Sequence, residues 1–121
     1  MKAPARLVPS ASVRAANSSF PTDGWWTLLY QGWTLLTPHG ARIGLSALER
    51  ACLLSLAANP GRELRREEFI AVRRRTTMRT LNVAICRLRG KVLRAGARLP
   101  LHTVHGMGYV FLGNLMELSD T

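Results

Sequence analysis

Met78-Arg79-Thr80-Leu81-Asn82-Val83-Ala84-Ile85-Cys86-Arg87-Leu88-Arg89-Gly90-Lys91-Val92-Leu93-Arg94-Ala95 is the stretch from which the rest of the chain can be read. Leu81, Ile85, Leu88, Val92 and Ala95 recur at spacings of four, three, four and three. At about 100° per residue they form one narrow apolar stripe, which predicts a helix over about 78–95 with that stripe in a core. Arg79, Val83, Cys86, Arg87, Gly90 and Arg94 fall on the opposite side, with Asn82 and Arg89 toward one flank. Such a helix suits the major groove of a duplex, where guanidiniums reach guanine edges and phosphates and a valine meets a thymine methyl. A merely solvated face is the alternative, but surface helices normally mix both signs of charge and this one has no acid.

The one-sided charge extends beyond the helix. Phe69 to Met116 contains no Asp or Glu, yet holds Arg73, Arg74, Arg75, Arg79, Arg87, Arg89, Lys91, Arg94 and Arg98. A face that repels itself this strongly points to a polyanionic partner. After the Gly96 break, Leu101 to Leu112 reads as two strand-like runs about the bend His105-Gly106-Met107-Gly108, a hairpin that can flank the groove as a wing.

Toward the N-terminus, Arg65 to Val72 predicts a short helix with Phe69 and Val72 inward and Glu67 and Glu68 in its early turns. Arg73-Arg74-Arg75 then ends it or exits it. Ser46-Ala47-Leu48-Glu49 has the form of a capping box and starts a helix that Asn59-Pro60-Gly61 stops. Its inward face is Leu48, Cys52 and Leu56, joined by Ala51 and Leu53, so Cys52 is a small core residue. Trp26 to Tyr30, Trp33 to Thr37 and Arg42 to Leu45 form a small antiparallel meander about turns at Gln31-Gly32 and Pro38-His39-Gly40. Its tryptophans are read as packing groups, with base stacking as the alternative. Residues 1–23 are Ala-, Ser- and Pro-rich, carry Lys2, Arg6 and Arg14, and are expected to form a flexible basic arm. A transit peptide is the other reading of that arm.

The chain has 121 residues, with 17 Lys and Arg against 7 Asp and Glu, giving a formal charge of +10. One core and one domain are expected over 24–113, with a C-terminal tail at 114–121. No apolar run suggests a membrane span, and no secretory h-region is present. Cys52 and Cys86, without a CxxC, support neither a disulfide framework nor a zinc site, and His39, His102 and His105 lack metal-ligand or nucleophile spacing. No cofactor, metal or enzymatic activity is expected.

Taken together, the residues resemble a known family. Leu45-Ser46 with Glu49, Asn59-Pro60-Gly61-Arg62, Arg79-Thr80-Leu81-Asn82-Val83, Arg87-Leu88-Arg89-Gly90-Lys91 and Thr103-Val104-His105-Gly106-Met107-Gly108-Tyr109-Val110-Phe111 are similar to the OmpR/PhoB-type winged-helix DNA-binding domain over about Trp25 to Leu112. The resemblance implies an α+β winged helix-turn-helix: an N-terminal four-stranded antiparallel sheet, a three-helix core and a C-terminal β-hairpin wing. It implies that the third helix enters the major groove and that the wing, 101–112, reaches the minor groove. Arg87 would lead base contacts, Asn82 and Val83 would face bases, Arg79, Arg89 and Thr103 would hold phosphates, and His105 would form the wing tip. Cys86, Lys91 and Arg94 complete the candidate DNA-binding set. The chain departs from the family's usual residues at Asn82, Cys86 and His105, so a target sequence does not carry over. The link from Phe69 to Arg79 also looks short, and in some relatives that loop contacts RNA polymerase.

The expectation is a cytoplasmic, bacterial, receiver-less regulator that binds specific double-stranded DNA sites. RNA polymerase or another regulator as partner, and a dimer on DNA, remain open. A degenerate winged helix serving as a protein–protein adaptor is the competing function, since Cys86 and Gly90 interrupt the reading face.

Overall fold

The computed structural model describes residues 24–118, so the basic arm expected over 1–23 lies outside the described residues, as do 119–121. The described elements run β1 (Trp25–Leu29), β2 (Thr34–Leu36), β3 (Arg42–Gly44), α1 (Ala47–Ala58), β4 (Glu63–Arg65), α2 (Arg66–Ala71), α3 (Met78–Arg94), β5 (Leu101–Val104), β6 (Gly108–Phe111) and β7 (Asn114–Glu117).

α1 begins where its capping box predicts. The Glu49 amide donates to Ser46 Oγ at 3.2 Å, and the Ser46 amide donates to Glu49 Oε1 at 2.9 Å. Its C-terminal carbonyls are satisfied by Arg62, whose backbone has φ +57°. Arg62 Nη1 donates to the Ala57 and Asn59 carbonyls, both at 2.8 Å, so a cation sits at the negative end of the helix dipole. α2 is shorter than expected. Phe69 points inward, but the helix ends at Ala71 and a turn closes from Ile70 O to Arg73 N, which leaves Val72 78% exposed rather than inward.

α3 is capped by Thr77 and Thr80, each side chain accepting from the other's amide, at 2.8 and 3.1 Å. Leu81, Ile85, Leu88 and Val92 are buried as their spacing predicts, and Ala84 joins them. Ala95 does not. It is the C-cap, and beyond it the Ala97 amide turns back to Val92 O, so the stripe ends one turn early.

The first sheet has the order β3-β2-β1-β7. β1, β2 and β3 pair antiparallel, but the fourth strand comes from the C-terminal end and lies parallel to β1, with Trp26 opposite Leu115. The N-terminal antiparallel sheet is present as β1 to β3, and its fourth strand comes from within 114–121, where a C-terminal tail was expected. Alternation explains it: Asn114 faces out while Leu115 is fully buried, and the Leu118 amide donates to Leu28 O.

The wing is a second sheet, β4-β6-β5, rather than a free hairpin. β4 can approach β6 only because residue 108 is glycine: its φ is +153°, and a Cβ there would sit 2.0 Å from the Leu64 carbonyl oxygen. Both sheets and all three helices contribute to one core, in which Trp26 meets Phe111 edge to face at 6.2 Å between centroids. Trp25 and Trp33 are half exposed, and Arg50 stacks over the Trp33 ring.

Candidate nucleic-acid interface

α3 is held by its dry stripe against α1, and its orientation is further fixed by one buried charge. Glu49 is 2% exposed and accepts from Lys91 Nζ at 2.7 Å, while the same ammonium reaches Gly44 O at 3.1 Å. Lys91, placed among the DNA-binding candidates, is therefore spent inside the fold. Lys91 lies about two turns beyond Ala84 on the same side of the helix, at the margin of the dry stripe, which turns it toward α1.

The opposite side of α3 is open. Arg79, Asn82, Val83, Cys86, Arg87 and Arg94 are exposed along it, and the Arg94 guanidinium lies back over Gly90, Nη1 being 3.3 Å from where a Cβ would stand. Among the described residues the only ion pairs are Arg65–Glu63 and Lys91–Glu49, so the arginines of this face have no acidic partner there. Arg73, Arg74 and Arg75 are exposed just before the helix and add to the same field.

Two contacts lock the wing to the helix. Arg89 Nη2 donates to Leu101 O at 2.7 Å and to Thr103 Oγ1 at 3.3 Å, so the two expected phosphate holders meet each other across the helix–wing junction. The Tyr109 hydroxyl donates to Asn82 Oδ1 at 2.6 Å. That bond ties the Asn82 side chain to the wing, while the residue stays exposed. Burial raises the Tyr109 pKa, opposed by the nearby Arg66 and Arg89 charges, so the ring stays a neutral donor. His105 stands exposed in the turn between β5 and β6.

Tyr109, Arg62 and the Glu49–Lys91 pair are the working residues that sequence reasoning missed. Tyr109 lies in the Gly108-Tyr109 segment, where an aromatic with a polar tip beside a glycine is a usable signal; nothing in the sequence pairs residues 49 and 91. Cys52 is confirmed as a core residue, its thiol pushed up to about 12 by burial first, with Glu49 adding to the rise and Arg73 opposing it. No cluster of three His, Cys, Asp or Glu able to hold a metal ion occurs among the described residues, and no helix there is long and apolar enough to cross a membrane.

Three helices, the last with an acid-free outer face, and a β-sheet wing fastened beside it define a winged-helix domain. The family described as "Transcriptional regulatory protein, C terminal" matches residues 40–111, and the chain belongs to it, a family of DNA-binding regulatory domains. Two solved structures share the fold. The DNA-binding domain of the response regulator AdeR, determined in complex with an intercistronic region, aligns with a TM-score of 0.55 at 21% identity, covering 68% of this chain and 86% of that one. The C-terminal domain of the nisin resistance regulator NsrR, a lantibiotic response regulator, aligns with a TM-score of 0.54 at 26% identity, covering 76% and 92%. No match was found among curated proteins.

Proposed function

We propose that the chain binds specific double-stranded DNA sites to regulate transcription, with α3 in the major groove and the hairpin 101–112 at the neighbouring minor groove. The observation that carries this reading is the outer face of α3, where Arg79, Arg87 and Arg94 stand exposed with no acidic partner among the described residues. Arg87 and Val83 read base edges. Arg79 holds phosphate, and Arg89 presents its remaining N–H groups together with Thr103 at the junction with the wing. The AdeR domain, captured on DNA, supports this use of the shared fold.

The test is a random-site selection with the purified chain, followed by titration of the selected duplex with two variants. Arg87→Ala is expected to cost about 1–3 kcal/mol and to relax preference at one base pair. Arg79→Ala is expected to weaken all duplexes alike. If both variants bind duplexes as the parent does while a protein contact is lost, the face belongs to an adaptor.

A further inference from the structure

An open groove of about 1080 Å³ runs between the C-terminal end of α3, β5 and the segment leading into β7. Trp26 and Leu99, both buried, form its floor, and Leu93 and Leu112 line it at 59% and 63% exposure. Its walls are tied into the fold. The Leu112 amide donates to Pro100 O at 2.7 Å, the Ala97 amide turns back to Val92 O at 3.1 Å, and a Cβ on Gly113 would stand 2.9 Å from Pro100 Cγ. A groove held by backbone bonds and close packing has its shape before anything binds.

Large aliphatic side chains left in water beside a preformed cleft mark a place where something docks, and the charge around them says what. Arg98 is exposed on the lining and has no acidic partner among the described residues; Arg89, His39 and His102 line the same groove, and no described acid does. A duplex suits this surface poorly, because phosphates answer the arginines but leave Leu93 and Leu112 wet. A wholly apolar partner covers the leucines and desolvates Arg98 without a counter-charge. The groove also lies at the upper end of small-ligand pockets, roughly 300–1,000 Å³, and is not closed over, which fits a stretch of polypeptide better than an enclosed metabolite.

We propose that this groove docks a short segment of a partner protein in which an apolar side chain stands beside a carboxylate, the apolar group against Leu93 and Leu112 and the acid on Arg98. Burying the two leucines supplies the attraction, and the cation opposite an acid supplies the selectivity. Arg79, Val83 and Arg87 are not part of the lining, so the proposal stands or falls independently of DNA binding.

The experiment is a selection of short random peptides against the immobilised full chain, followed by titration of a fluorescent copy of the enriched peptide. Enriched sequences are expected to place Leu, Ile, Phe or Trp within a few residues of Asp or Glu. Affinity is expected to fall about tenfold in Leu93→Ser and in Arg98→Glu, and to hold near the parent's value in the charge-matched control Arg42→Glu, which lies on β3 away from the groove. Leu93, Arg98 and Arg42 are all exposed, so these variants keep the core. The proposal is overturned if nothing is enriched, if the enriched peptides lack either the apolar or the acidic residue, or if Leu93→Ser leaves affinity unchanged. Equal losses in Arg98→Glu and Arg42→Glu also overturn it, since they reduce the binding to attraction by net charge. So do NMR shifts of amides 97–101 and 112–113 that grow with protein concentration and exclude the peptide, which assign the groove to a second copy.

Discussion

Lys91 and Arg87 are both cations on α3, four residues apart, yet one turns to a buried carboxylate and the other faces solvent. The difference is rotation about the helix axis: Lys91 sits at the edge of the dry stripe, where Glu49 waits without contact to water. Removing the ammonium leaves that carboxylate buried without a counter-charge, held only by the Ser46 amide, a loss that reaches about 3–5 kcal/mol for fully buried pairs. Because Lys91 is 32% exposed, Lys91→Met is expected to lower unfolding free energy by about 2–3 kcal/mol, read as a shift of the urea midpoint at unchanged slope. The two cysteines differ in the same way. At pH 8 a thiol reagent is expected to label Cys86 in the native chain and Cys52 only on unfolding; two fast native thiols would contradict the packing. The raised Cys52 pKa fixes the sign of its pH linkage. Its contribution to stability is complete below its ordinary value of 9.0 and is lost as pH climbs toward about 12, because the unfolded thiol ionises first.

At the level of elements, α1 was legible from its Ser46–Glu49 cap and inward apolar face, and α3 from the apolar stripe that starts at Leu81; the Thr77–Thr80 cap of α3 was not read. The hairpin was legible from its glycines. β4 was not, since Glu63-Leu64-Arg65 is too short to show alternation and exists only as a partner of β6. β7 was missed for a related reason: Asn114 to Glu117 has a strand's alternation, but its partner lies some ninety residues earlier in the sequence. Of the candidate interface, the outward arginines followed from periodicity alone. The commitments of Lys91 and Asn82 did not, because they depend on which other element stands opposite. Two substitutions probe the unforeseen links. Arg62→Ala removes the cap of α1 together with its Nη2 bond to Leu115 O at 3.1 Å, and is expected to cost about 1–2 kcal/mol by thermal melting. Gly108→Ala forces β4 from β6; a melting temperature equal to the parent's would refute the close approach inferred at Leu64.

For the whole molecule, charge and topology have separate consequences. With a formal charge of +10 and an acid-free side, affinity for duplexes is expected to fall steeply with salt. Arg79→Ala should flatten the logarithmic slope by about 0.9, one phosphate's worth of released counterion. An unchanged slope would remove Arg79 from the backbone contacts. The union of β1 with β7 sets the order in which the domain can be completed. A nascent chain makes β1 first and must hold its free edge open until almost all the described residues have been synthesised. Closure is therefore a late, long-range step, and interrupted synthesis leaves an adhesive strand rather than a smaller stable protein. A stop codon after Leu112 keeps every arginine of the α3 face and still is expected to yield an aggregation-prone product.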